Sequence, residues 1–308
     1  MITSSNKSNK FLIVVVGPTA VGKTNVAVKL AKKFNTAILN ADSRQVYKEM
    51  DIGTAKPGLA EMAGVRHYFV SDRSLKKPIN AGIFEREAIS ILEKEFLEKD
   101  TVILSGGSGL YVNAVCDGFD NLPEIDPGIR KLLNSRLDKN GLTSMTEELK
   151  ESDPQYASEV DLKNPHRVIR ALEIIQSTGR PYSSFRKKEF KKRWFDTIKI
   201  GLELDRALLN DKIETRMDKM IDQGLFEEAK ALYKFKDLDP LQTVGYREVF
   251  GYMEEEYSYE EAIRLLKRNS RRYAKRQLTW FRKDSEIKWF EPNEIAEMAE
   301  YVNGRLNT

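Results

Sequence analysis

Cysteine occurs once in this chain of 308 residues, at Cys116, and histidine twice, at His67 and His166. A lone cysteine excludes an intramolecular disulfide framework and suits a reducing compartment. One cysteine and two distant histidines also leave too few nitrogen and sulfur ligands for a zinc site. His67 opens an apolar run and reads as a core histidine, and Cys116 has no reactive neighbour in the sequence. No apolar run approaches the ~20 residues of a membrane span. The polar stretch 1–10 lacks the apolar centre of an export signal. The expectation is a cytoplasmic protein with no membrane segment. An excess of one charge is missing too: 51 Lys and Arg against 47 Asp and Glu leave a formal net charge of +4. Repeats and low-complexity tracts are absent. Present instead are 41% hydrophobic residues, enough for a sizeable core, and a length that suits about two domains. The sequence does not fix the oligomeric state, and a monomer is the default expectation.

The strongest local pattern lies near the start. Residues 11–16 (FLIVVV) form an unbroken apolar run of the kind that a parallel strand covered on both faces needs. Gly17-Pro18-Thr19-Ala20-Val21-Gly22-Lys23-Thr24 follows at once. Val26, Val28, Leu30, Ala31 and Phe34 then recur at roughly helical spacing. The match is to G-x-x-x-x-G-K-[ST] in its strand–loop–helix context, which a chance glycine-rich turn would lack. Glycines let backbone N–H groups turn inward around phosphate oxygens. A helix starting near Lys23 adds its positive N-terminus. Lys23 brings a compact cation, and the Thr24 hydroxyl can hold Mg²⁺. The loop therefore grips a diphosphate or polyphosphate, without saying whose.

The spacing predicts strands over 11–16, 36–40, 67–70 and 101–105, with helices over about 23–34 and 81–99. This alternation argues for an α/β fold: a P-loop NTPase-like parallel sheet flanked by helices, with ligands at the carboxyl ends of the strands. Polar or glycine-rich turns after the first, second and fourth strands then converge on one crevice. The pattern breaks near Asp117. Residues 121–127 read as a turn-rich linker, 128–190 show only helical spacing, and 195–204 look like another sheet strand. The chain from Arg206 onward is mostly helical. The expected organisation is a core over 1–118 and 195–308, interrupted by an all-helical insertion domain over 119–194.

Several side chains are candidates for chemistry. Asp42, just after the second strand, would point into the crevice with Lys23 and could act as general base or assist Mg²⁺. The alternative is a turn or N-cap aspartate. In Gly106-Gly107-Ser108-Gly109, the glycines allow close backbone approach to a ligand or to the P-loop, and Ser108 could donate to a phosphate or a reacting amine; an ordinary strand-to-helix turn would look the same. A P-loop hydrolase would end this strand in a Mg²⁺-holding Asp, so Ser-Gly-Gly favours a transferase shape. Arg216 sits in a helix-like stretch and could clamp a leaving phosphate, or could be an exposed helix arginine.

Two basic, aromatic-dotted segments suit a curved nucleic acid, with cations for phosphates and rings for splayed bases. The first has Arg186, Lys187, Lys188, Lys191, Lys192 and Arg193 among Phe185, Phe190 and Trp194. The second has Arg264, Lys267, Arg268, Arg271, Arg272, Lys275, Arg276, Arg282 and Lys283 among Tyr273, Trp280 and Phe281. Solvated helix faces are the plain alternative.

Seven motifs together resemble the bacterial-type tRNA dimethylallyltransferases, also called tRNA isopentenyltransferases (the IPP transferase family). They are 17–24, 42–47 (DSRQVY), 53–57 (GTAKP), 106–111 (GGSGLY), 166–173 (HRVIRALE), 242–247 (QTVGYR) and 275–282 (KRQLTWFR). They span nearly the whole chain in order. The resemblance implies transfer of a dimethylallyl group from dimethylallyl diphosphate to N6 of the adenine that follows the anticodon of a tRNA. It implies that the P-loop cradles the donor's diphosphate with Mg²⁺ near Thr24, and that Asp42 accepts the N6 proton. It also implies that Ser108, where many members carry Thr, holds the diphosphate or orients the amine, and that Arg216 neutralises the leaving group. Contacts to the tRNA anticodon stem-loop are implied for Asp42, Ser43, Arg44, Gln45, Ser108 and Arg130. Further contacts are implied for His166 (often Gln), Arg167, Val168, Ile169 and Arg170, and for Gln242, Thr243, Val244, Gly245, Tyr246 and Arg247. The last set is Lys275, Arg276, Gln277, Leu278, Thr279, Trp280, Phe281 and Arg282. The rival readings are a small-molecule or nucleoside kinase, which leaves both basic segments unexplained, and a non-catalytic nucleic-acid-binding P-loop protein, which leaves Asp42 and Ser108 unexplained.

Overall fold

The structure, a computed structural model, describes residues 9–120, 123, 125–186 and 191–307. Lys187, Lys188 and Phe190 of the first basic segment lie outside the described residues, as do Asn121, Leu122 and Glu124 of the linker. The chain divides into two compact units, Met1–Asp117 with Lys192–Thr308, and Gly118–Lys191.

The first unit begins β1 (Phe11–Val16), α1 (Lys23–Lys33), β2 (Ile38–Asn40), α2 (Leu59–Met62), β3 (His67–Tyr68), α3 (Ala81–Glu98), β4 (Thr101–Gly106) and α4 (Gly109–Cys116). The second unit holds α5 (Pro127–Ser152), α6 (Pro154–Glu159) and α7 (Pro165–Thr178). The first unit then resumes with β5 (Asp196–Leu202), α8 (Arg206–Asp222), α9 (Leu225–Leu232), α10 (Tyr246–Met253), α11 (Tyr259–Phe281), β6 (Lys288–Phe290) and α12 (Ile295–Leu306).

The six strands are all parallel, in the order β3-β2-β4-β1-β5-β6. β1 and β4 lie inside the sheet with helices on both faces, so their residues are almost fully buried, and that is why both read as plain apolar runs. One core joins Ile13 and Val15 of β1 to Val26 and Leu30 of α1, Ile200 and Leu202 of β5, and Met298 and Val302 of α12. The order sets the carboxyl ends of β2, β4 and β1 side by side. Backbone bonds then tie the ends of β2 and β4 together: Ala41 N–H donates to Ser105 O at 2.8 Å, and Ser108 N–H to Ala41 O at 3.2 Å.

Three differences from the sequence reading have local causes. β2 starts at Ile38 rather than 36. β3 stops after Tyr68 because Phe69 turns away at φ 62°. β6 was not expected: of its three residues only Phe290 is fully buried, too short a stretch to show a period.

The second unit has no strand among its described residues. Its core is Leu133, Met145, Leu149, Val168, Ile169 and Leu172, packed between α5 and α7. Gly141, at φ 73°, interrupts α5. Asn164 caps α7, accepting from the N–H groups of His166 and Arg167. Among the described residues, no helix is long and apolar enough to cross a membrane.

Candidate active site

The chain turns into α1 through Gly22, at φ 104°, with no side-chain cap and no acidic residue in the first turn. The first-turn N–H groups have no intrahelical acceptor, and with the dipole they make an anion-receptive end. Lys23 folds back over the loop, its Nζ donating to Pro18 O at 2.6 Å. Thr24 Oγ1 has no hydrogen bond among the described residues.

Asp42 divides its two oxygens. Oδ1 accepts from Arg44 N–H (2.9 Å) and Gln45 N–H (3.2 Å), which is the turn role. Oδ2 has no hydrogen bond among the described residues and remains available as a base. Ser108 lies beside it in the chain fold: its Oγ accepts from Ser43 N–H at 3.0 Å and donates to Ser43 Oγ at 3.2 Å. Asp42, Ser43 and Ser108 are therefore brought together across the tips of β2 and β4.

Arg216 enters from α8, whose Leu209, Ile213, Met217 and Met220 are buried. It is a part-buried arginine, not the exposed one that helix spacing also allowed. Nη2 donates to Thr54 O at 3.3 Å, while Nε is buried with no partner among the described residues. Electrostatics tie the group together. Burial, and next the like charge of Arg216, push the Lys23 ammonium down to about 7, against the pull of Asp42. Burial also lowers Arg216, opposed by Asp42 and Glu61. Tyr273 on α11 is pushed up to about 12 by burial and then by Asp42. Two crowded, desolvated cations thus share one carboxylate, a deficit that a multiply charged anion would remove.

Glu228 on α9 was not visible as a functional residue, because a glutamate in an amphipathic helix reads as a solvated face. Its Oε2 accepts from Asp51 N–H (3.0 Å) and Ile52 N–H (2.8 Å), and its Oε1 from Gly53 N–H (2.8 Å) and Tyr246 Oη–H (2.6 Å). This fixes the 3-10 turn Ile52–Thr54, whose Thr54 carbonyl receives both Arg216 and Gln45 Nε2 (3.1 Å). The 53–57 motif therefore works as a shelf that aims Arg216. Glu228→Ala should unpair these donors and cost roughly 1–3 kcal/mol in urea denaturation. Unchanged stability would show that water replaces the carboxylate without loss.

On α11, Arg272, Lys275, Arg276, Thr279, Trp280 and Lys283 just beyond its end are exposed, whereas Ala274, Gln277 and Phe281 are buried. Lys267 pairs with Asp218, Arg271 with Glu214 and Arg282 with Glu203. Arg272, Lys275, Arg276 and Lys283 have no ion pair among the described residues; the first three form a stripe on α11 and Lys283 follows its end. In 242–247, Gln242 and Arg247 are exposed, Thr243 and Val244 are partly so, and Gly245 and Tyr246 are buried.

The first basic segment is less free than its composition suggested. Arg193 is engaged inside, donating to Glu85 at 2.9 Å and to Ala114 O at 2.7 Å. Arg186 lies over the Tyr156 ring. In the second unit, His166 and Arg167 are exposed, while Val168 and Ile169 face the core. Arg130 and Arg170 converge on the buried Glu173, each at 3.1 Å, beside an open pocket that Lys131 and Asn134 also line. No group of three or more His, Cys, Asp or Glu residues among the described residues could hold a metal ion.

With this geometry in hand, comparison with known proteins is informative. Residues 45–284 match the family model described as IPP transferase. The tRNA dimethylallyltransferase of Cytophaga hutchinsonii is 53% identical over 97% of this chain and 98% of its own. The tRNA dimethylallyltransferase 1 of Bacteroides fragilis is 45% identical over 96% and 99%. Among solved structures, the full-length tRNA isopentenylpyrophosphate transferase of Bacillus halodurans superposes with a TM-score of 0.72 at 38% identity, covering 97% of each chain. A eukaryotic dimethylallyltransferase acting on tRNA gives a TM-score of 0.77 at 25% identity, over 96% of this chain and 77% of that one.

Proposed function

The chain belongs to the IPP transferase family, and on that premise we propose how its site works. The enzyme transfers a dimethylallyl group from dimethylallyl diphosphate to N6 of the adenine immediately 3′ to the anticodon. Its substrates are tRNAs that read codons beginning with U, and the products are N6-dimethylallyladenosine and diphosphate. It acts as a monomer in the cytoplasm.

One observation carries the reading. Among the described residues, Arg216 Nε is buried without a partner, Lys23 is folded over the loop, and Asp42 accepts hydrogen bonds through Oδ1 alone. An anion belongs on the cations, and a proton has a place to go. The diphosphate lies against the loop 17–24 and the first turn of α1. As the allylic C–O bond breaks, charge grows on the leaving oxygens, and Lys23, Arg216 and the loop amides stabilise it. The N6 amine attacks the allylic carbon and Asp42 Oδ2 accepts its proton, while Ser108 keeps the 42–44 turn in place and orients the amine. An anticodon-loop base is single-stranded and costs little to extrude into the crevice. Mg²⁺ fits the oxygen chemistry here: the Thr24 hydroxyl has no hydrogen bond among the described residues, and this ion needs few protein ligands beside waters and phosphate oxygens. Held at Thr24, such an ion would supply further positive charge to the leaving diphosphate.

The direct test incubates the protein with tRNA and labelled dimethylallyl diphosphate, in parallel with labelled ATP. Prenyl label in tRNA is expected; phosphoryl transfer to a small acceptor would return the reading to a kinase. The stripe on α11 gives a second test. Four exposed unpaired cations, each releasing ~0.7–0.9 counterions, predict a slope of about −3 in log affinity for tRNA against log salt. A flat response would make the stripe a solvated face.

A further inference from the structure

Gln277 is placed where no tRNA-contact role explains it. It is 6% exposed, on the inner side of α11, between the buried Ala274 and Phe281. Its Oε1 accepts the backbone N–H of Thr19, inside the P-loop, at 2.8 Å. Its Nε2 donates to Gly107 O, in the turn after β4, at 2.9 Å. The two bonds fix the amide's orientation: only the oxygen can face the Thr19 N–H, and only the nitrogen can face the Gly107 carbonyl. The approach is close, since a Cβ on Gly107 would lie 2.3 Å from Nε2.

Thr19 is the third residue of the loop, on its strand side. The backbone N–H groups of such a loop cradle the phosphates, so the phosphate chain it accepts is bounded by which of those N–H groups stay free to donate. A third phosphate would need a donor there. It would meet instead an N–H already engaged and a fixed carbonyl oxygen whose lone pairs repel phosphate oxygens. We propose that Gln277 is a specificity-determining residue, whose amide oxygen sizes the P-loop for a diphosphate and rejects triphosphates, ATP included. The proposal rests on the reading of the loop as a diphosphate cradle.

Its test is the affinity of the full chain for inorganic diphosphate and inorganic tripolyphosphate, measured by calorimetry at one fixed free Mg²⁺ concentration. The wild type is expected to prefer diphosphate by roughly tenfold or more, the scale of a donor denied to a buried charged group. In Gln277→Ala the ratio should fall to within about threefold, mostly through tighter tripolyphosphate binding. A merely structural role would weaken both ligands alike and leave the ratio unchanged. If the alanine variant unfolds, Gln277→Met keeps the volume but offers Thr19 only a weak thioether acceptor, and its ratio should fall too. Equal binding of both ligands by the wild type overturns the proposal, as does a wild-type ratio in either folded variant. Prenyl transfer by the wild type, assayed separately with tRNA, reports on the underlying reading, so the two can fail independently.

Discussion

Asp42→Asn is expected to cut turnover by about 10²–10⁴, the range of a positioned base, while tRNA affinity stays nearly intact. The substitution is unusually clean. Asn keeps an Oδ1 able to accept from the Arg44 and Gln45 N–H groups, so the turn after β2 survives. What is lost is Oδ2, which has no hydrogen bond among the described residues, replaced by an NH₂ that cannot take a proton. The same change removes the negative charge that opposes a second anion beside Lys23 and Arg216. Binding of dimethylallyl diphosphate should therefore hold or tighten. Single-turnover rates and filter-binding affinities for tRNA separate the terms. A rate loss below tenfold would remove Asp42 from the role of base.

Arg216→Ala is expected to slow the chemical step by roughly 10²-fold or more, because it deletes a charge-assisted donor aimed at developing negative charge. The fold should tolerate it, since Arg216 makes one internal hydrogen bond, to Thr54 O, and its Nε makes none among the described residues. Arg216→Lys should fall between the two. It keeps a charge but lacks the planar fork and the Nε donor. Wild-type single-turnover rates in the alanine variant would refute the assignment.

The two residues differ in how far the sequence revealed them. Asp42 lies two residues beyond a predicted strand, so position alone brought it to the crevice. Arg216 lies on α8, far along the chain, and helix spacing by itself allowed an exposed arginine equally well. Only the resemblance of the whole chain to a family raised it. Arg193 shows the opposite error: it stood in a basic run that suited nucleic acid, yet it is committed to Glu85 inside the first unit. Composition reports a charge but not its partner, when that partner is 108 residues away.

The sequence by itself determined the parallel α/β core, the interruption after Asp117, and the glycine-bounded loop 17–24 between its strand and helix. Each is written in contiguous residues: apolar runs for doubly covered strands, a change of period, and eight neighbours that link an apolar run to a helix. The tertiary structure alone decided which side chains surround that loop. Glu228 fixes the turn whose Thr54 carbonyl accepts from Arg216, and Gln277 on α11 accepts from the N–H of Thr19, 258 residues away. Such contacts join elements distant in the chain, and a glutamate or glutamine carries no local mark of the backbone N–H that it will meet.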